Sequence, residues 1–226
     1  MATAVPFAPV ILKPHEPVAE RVLLPGDPGR ALRLAQLLID GPRMLNHHRG
    51  LWGYSGPAAD GAPLTIQSTG LGGPSAAAVV AELIALGARR LVRVGTAAGL
   101  GSTPLGALVV ADAALAADGA SRALGAGDRV AADPGLAAAL AARAPLRGLV
   151  ASADIHDPVL ARRWTEAGAL AFDLATAAVL AAAARGGAAA GAVVAVTRAA
   201  SERLGDEPFA ALEQELGAVA AAALSP

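Results

Sequence analysis

Short runs of β-branched and apolar residues alternate with longer Ala- and Leu-rich stretches along this chain, and that alternation constrains the fold more than any other feature. Strands are predicted at Arg21 to Leu24, Leu64 to Ser68, Leu91 to Val94, Leu108 to Ala111, Leu149 to Ala151 and Ala192 to Val196. Helices are predicted at Gly29 to Ile39, Pro74 to Leu86, Pro134 to Ala142, Pro158 to Ala167, Asp173 to Ala184 and Pro208 to Leu224. Pro74, Pro134, Pro158 and Pro208 fall where a first-turn proline costs no hydrogen bond. Strands alternating with helices bury their apolar faces best as helices layered on a sheet, so the class is α/β. With 226 residues and no composition break, residues 1–226 read as one domain.

Charge and composition exclude several kinds of function. Lys+Arg 18 against Asp+Glu 19 gives a net charge of -1 with no basic block, so nucleic acid and anionic membrane are not expected partners. The hydrophobic share of 54% is swollen by Ala, which is only weakly apolar. The greasiest stretch, Ala167 to Ala200, is broken by Asp173, Arg185 and Gly186-Gly187. It falls short of the roughly 20 apolar residues a membrane span needs and reads as a soluble helix followed by a buried strand. The first residues lack a basic start leading into an apolar core, so no secretory signal is expected and the cytoplasm is the default location. Without cysteine there is no disulfide, thiolate nucleophile or Cys-ligated metal.

Three segments carry chemistry. Pro25-Gly26-Asp27-Pro28-Gly29-Arg30 is a Gly-rich turn between a strand and a helix. Backbone N–H groups in such a turn, the positive helix end and the Arg30 fork suit an anion. An ordinary β-turn with an exposed Arg fits the same letters, and no Gly-Lys-Ser/Thr follows, so it is not a P-loop. In Arg93-Val94-Gly95-Thr96-Ala97-Ala98-Gly99 an Arg stands inside an apolar strand and needs an anionic partner. That partner is either an internal carboxylate or a ligand in the crevice at the strand ends. Ser68-Thr69-Gly70-Leu71-Gly72-Gly73-Pro74-Ser75 is a second Gly-rich turn opening a helix, without dinucleotide spacing.

In order along the chain, these segments together with Asn46-His47-His48-Arg49-Gly50, Gly53-Tyr54-Ser55-Gly56 and Asp118-Gly119-Ala120-Ser121 resemble the hexameric class of purine nucleoside and uridine phosphorylases, uridine phosphorylase most closely. The resemblance runs from about Arg21 to the end. It implies a three-layer α/β/α sandwich around a mixed central sheet, and a homo-hexamer assembled as a trimer of dimers. It implies phosphorolytic cleavage of a nucleoside to free base and a (deoxy)ribose 1-phosphate, with inorganic phosphate as co-substrate and neither metal nor organic cofactor. Gly26, Arg30, Arg93 and Thr96 would contact phosphate, with Arg49 reaching in from the other subunit of a dimer. Arg93 and Arg30 would be the catalytic pair. The extension 1–20 would lie at a subunit contact, and His15 would reach the partner's sugar. Fixed arginines suit phosphate approaching an oxocarbenium-like centre, whereas a nucleosidase, which uses water, needs no such cradle.

The sequence also departs from the family pattern. Where the family carries a sugar-gripping Glu, Phe172-Asp173-Leu174-Ala175-Thr176 has Ala175. On a helix Asp173 would lie about 200° around from position 175 and could not replace it. The sugar contacts then fall to Leu174, Ala175 and Thr96, with His15. At the base end the candidates are Ala97, Ala98, His156, Phe172 and Arg198. Arg198 matches the arginine near the pyrimidine carbonyl in uridine phosphorylases. Yet Ser152 to Pro158 omits the insertion that brings further polar groups to uracil, so pyrimidine and purine both stay open. Trp52 and Trp164 read as packing residues. A weakened nucleoside- or phosphate-binding homologue, a nucleosidase and a purine-specific phosphorylase are the alternative readings.

Overall fold

The computed structural model describes residues 9–144 and 146–225, so the first eight positions of the 1–20 extension lie outside the described residues. The elements in chain order are β1 (Arg21–Pro25), α1 (Pro28–Leu38), β2 (Arg43–Asn46), β3 (Gly53–Pro57), β4 (Pro63–Gln67), α2 (Gly72–Ala85), β5 (Arg90–Gly99), β6 (Leu108–Ala117) and α3 (Gly119–Ala123). They continue with β7 (Arg129–Ala131), α4 (Pro134–Ala141), β8 (Arg147–Ala153), α5 (Pro158–Glu166), β9 (Ala169–Asp173), α6 (Thr176–Gly186), β10 (Ala189–Ala199), β11 (Glu202–Arg203) and α7 (Asp206–Leu224). Three helix starts share one local device, an aspartate cap followed directly by proline. Asp27 accepts from Arg30 N (2.7 Å), Asp133 from Leu136 N (2.9 Å) and Asp157 from Val159 N (2.8 Å). Each cap satisfies a donor the helix cannot, worth about 1 kcal/mol.

All the strands form one mixed sheet. β5 runs parallel to β1 and β10, while β10 is antiparallel to β6. β6, β8 and β9 are parallel, and β9 returns antiparallel to β5 through Ala98↔Phe172. The strands β5, β10, β6, β8 and β9 therefore close on themselves. On the other side of β1, β4 joins in parallel and β3 and β2 follow antiparallel.

Side-chain alternation along the strands sets the two faces. Leu23, Val92 and Val94 meet Leu34, Leu136, Leu140, Leu216 and Val219 of α1, α4 and α7. Val22, Leu24 and Leu91 meet Val79, Val80, Leu83, Val179 and Leu180 of α2 and α6 on the opposite face. This is the three-layer sandwich with a mixed sheet that the sequence predicts. No described helix is long and apolar enough to cross a membrane.

One predicted boundary is wrong in a way that matters. Asp173 does not open a helix; it closes β9, and α6 starts only at Thr176, with Ala175 as its cap at φ -151. The strand Ala-Leu-Ala-Phe-Asp has no β-branched residue, so its letters read as helix, and pairing with β8 and β5 overrides that preference. Trp164 packs near Phe172 as expected, but Trp52 is exposed.

Candidate active site

The ends of β1, β5, β9 and β10 border a cavity of about 670 Å³. Its wall includes Gly26 and Arg30 from the β1–α1 junction, Arg93 and Thr96 to Ala98 from β5, Phe172 to Ala175, Arg198, and also His156. The resemblance placed all of these except Asp173 in one site, and the fold brings them to one cavity. Two Gly-rich turns are zipped to each other at one end: Thr69 N donates to Pro25 O (2.8 Å) and Gly70 N to Gly26 O (3.0 Å). Gly70 sits at φ 75, and a Cβ there would lie 2.6 Å from Ser75 Oγ, so only glycine fits this junction.

Arg93 is buried, and the structure supplies its anionic partner. It donates from Nε to Asp173 Oδ2 (2.9 Å) and Thr176 Oγ1 (3.1 Å), and from Nη2 to the same carboxylate oxygen (2.7 Å). Gly95 makes this possible, because a Cβ at that position would meet Arg93 Nη2 at 2.8 Å. The remaining nitrogen, Nη1, is buried with no hydrogen-bond partner in the described structure. An unmatched cationic donor in such a place is costly unless a ligand satisfies it. Arg93 thus carries the internal salt bridge that one reading of the sequence required, and it also borders the cavity.

Asp173 is fully occupied in turn. Its Oδ1 accepts from Ser152 Oγ (2.7 Å), Thr176 N (3.0 Å) and Ala175 N (3.2 Å), and its Oδ2 also accepts from Thr176 Oγ1 (2.7 Å). Burial pushes its carboxyl pKa up, but Arg93 together with these donors holds it below the ordinary carboxylate value. Asp173 therefore has no lone pair to spare for a sugar. That reason replaces the helical-wheel argument drawn from the sequence.

Arg30 is organised the same way. Its Nε donates to Glu213 Oε1 (2.7 Å) and its guanidinium carbon lies 5.6 Å from the centre of the Phe209 ring. Glu213 also receives Arg33, through Nη2 at 2.8 Å and a second contact from Nε. Burial raises the Glu213 pKa, and the bonds from Arg33 and Arg30 outweigh that and lower it. Glu213, Phe209, Ser152 and Thr176 escaped sequence reasoning. Glu213 stands 183 residues from Arg30, and nothing in its letters distinguishes it from an exposed glutamate on a surface helix.

The far end of the cavity is apolar. Phe172 is buried between Trp164, with ring centres at 5.1 Å, and the edge of His156, at 4.6 Å. β8 ends at Ala153 and α5 begins at Pro158, so only a short link separates them.

His15 and Arg49 do not line this cavity. Both are exposed, and they belong to one surface: His15 stacks on His47 at 5.4 Å, and Arg49 is two residues further on, in a left-handed conformation at φ 58. The segment ahead of His15 is fastened by buried Glu82, whose carboxylate accepts from Val10 N, Ile11 N and Leu12 N at 2.7 to 3.0 Å.

A family model described as the phosphorylase superfamily matches residues 20–225. The chain belongs to the phosphorylase superfamily. Among the relatives of this superfamily member, uridine phosphorylase of Treponema pallidum is 40% identical over 106 residues, covering 46% of this chain and 40% of the relative. Uridine phosphorylase of Thermococcus kodakarensis is 38% identical over 114 residues, covering 50% and 40%. A DeoD-type purine nucleoside phosphorylase of an Exiguobacterium species is 44% identical over 84 residues, covering 37% and 35%. The chain thus spans 40% or less of the length of these relatives.

Proposed function

We propose that this superfamily member cleaves the N-glycosidic bond of a nucleoside with inorganic phosphate, releasing the base and a pentose 1-phosphate. The observation that carries the reading is Arg93: a buried guanidinium with one arm pinned and one nitrogen unmatched, on the same cavity wall as the tethered Arg30. Phosphate held by Arg30, Arg93, Thr96 and the Gly26 turn presents an oxygen to the anomeric carbon. As the C–N bond breaks, the base leaves with the bonding electron pair and takes up a proton, while the new C–O bond forms the sugar 1-phosphate. Groups fixed before the reaction stabilise the charge without reorganising, which is where such sites gain most of their rate. No step calls on a metal or an organic cofactor.

The relatives' names support this reaction without deciding the base, since both uridine and purine nucleoside phosphorylases are among them. Arg198 on the cavity wall, where the resemblance expects an arginine near the pyrimidine carbonyl, favours a pyrimidine. Thr96, Leu174 and Ala175 are left to meet the sugar, and Ala97, Ala98, Phe172 and His156 the base.

We also propose that the working form is a homo-hexamer built from dimers, with Arg49 and His15 completing the partner's site. Their shared, exposed surface outside their own cavity supports this. Phosphate-dependent base release, assayed over uridine, thymidine, inosine, adenosine and their deoxy forms, tests the reaction. Equal release without phosphate would make the protein a nucleosidase, and no release would sink the proposal. Mixing Arg49→Ala with Arg30→Ala protein tests the sharing. Each parent is expected to be nearly inactive, and subunit exchange should restore part of the wild-type turnover. No recovery after verified exchange excludes a shared site.

A further inference from the structure

Four arginines line the cavity, and only two have a carboxylate. Arg30 pairs with Glu213 and Arg93 with Asp173, whereas Arg198 and Arg203 make no ion pair among the described residues. Arg198 and Arg203 are direct register partners in the short antiparallel ladder of β10 and β11. Their side chains leave the hairpin on one face, and both border the cavity. Glu202 is the neighbour on β11, and strand alternation turns it to the other face. Like charges directly opposite one another destabilise a ladder. The turn closing this hairpin also holds Ala200 at φ 51, unfavourable for a residue with a Cβ. An anion between the two guanidiniums would offset the repulsion.

No acidic group of the cavity wall is free to be that anion. Asp173 is engaged by Arg93, Asp27 caps α1 with Arg33 at 3.8 Å, and position 175 is alanine. The location of the pair follows from register: Arg198 lies beside Ala98, Ala98 beside Phe172, and Phe172 against His156. The pair therefore borders the flat, apolar end, where a base would stack.

We infer that Arg198 and Arg203 bind a second anionic group, carried on the base, so that the substrate class is a nucleoside with an acidic base such as a carboxylated pyrimidine. The identity of the rest of the substrate rests on the phosphorolysis reading, but the arginine pair can be tested without turnover. Orotate and uracil are the same ring with and without a carboxylate, and calorimetric titration of each into the protein compares them directly. Orotate is expected to bind at least about tenfold more tightly, as a charge-assisted contact warrants. That advantage should fall close to parity in Arg203→Gln and in Arg198→Gln, and shrink with added salt. Equal binding of the two bases by the wild type overturns the inference. So does an orotate advantage that survives Arg203→Gln and vanishes in Arg93→Ala, which would put the carboxylate in the phosphate cradle. Orotidine and uridine 5′-monophosphate, each compared with uridine, separate the sources of charge. A preference for the 5′-phosphate that depends on Arg203 moves the anion to the sugar and overturns its assignment to the base. If no nucleoside is cleaved with phosphate, the phosphorolysis reading fails while the orotate titration still stands.

Discussion

Along the cavity wall Arg30 and Arg93 are buried and each is gripped by a carboxylate, whereas Arg198 and Arg203 stand exposed and make no ion pair among the described residues. One residue type thus stands in two different settings. A buried arginine needs a partner to fold at all, so its direction is fixed by the protein and its spare nitrogen becomes a rigid donor. An exposed arginine keeps its hydration and its rotamers, and is positioned only by the ligand it meets. The first arrangement suits a co-substrate that never varies. The second suits a group that distinguishes one substrate from another.

The largest effect is expected from cutting the buried grip. Asp173→Asn leaves Arg93 without its counter-charge, and breaking a buried pair this way costs about 3 to 5 kcal/mol. Denaturant unfolding of the two proteins measures it. The sign with pH follows from the depressed folded pKa of Asp173. Its contribution is fully present above the unfolded carboxylate value of about 3.9 and is lost as pH falls through the folded value. The gap between wild type and Asp173→Asn should therefore be constant near neutrality and narrow in acid. A gap that widens in acid would contradict the network.

Glu213→Gln should act next, on function as well as on folding. Arg30 keeps its place over Phe209 but loses a charged tether, so the KM for phosphate should rise by roughly tenfold with a smaller change in the KM for nucleoside. Equal effects on both would show that Glu213 supports the whole cavity and not its phosphate end. The smallest effect concerns the sugar. Ala175 offers no acceptor, so discrimination between ribo- and 2′-deoxyribonucleosides should be weak, and Ala175→Glu should raise the ribose preference by up to about tenfold. A strong ribose preference already present in the wild type would mean that another group holds the hydroxyl.

The same contrast explains how much was legible in the sequence. Six strands and six helices were readable because apolar runs and Gly-rich turns are local signals, whereas the cavity-lining residues came mostly from the family resemblance. β2 and β3 were not, since the 43–57 segment holds Arg43, Asn46, Gly53 and Gly56 and draws its strand character from pairing with β4. β7 and β11 are only three and two residues long. The counter-ions were the hardest part. Asp173 was visible as a residue but misassigned to a helix, and Glu213 is joined to Arg30 only by the packing of α7 across α1.

The proposed phosphate contact of Arg93 is read out by titrating inorganic phosphate into wild-type and Arg93→Ala protein. The variant retains Asp173 bonded to Ser152 and Thr176, and circular dichroism checks its fold. Saturable phosphate binding by the wild type, weakened at least about tenfold in folded Arg93→Ala, is expected from the loss of a charge-assisted donor. Equal phosphate affinity in the two folded proteins would remove phosphate from Arg93.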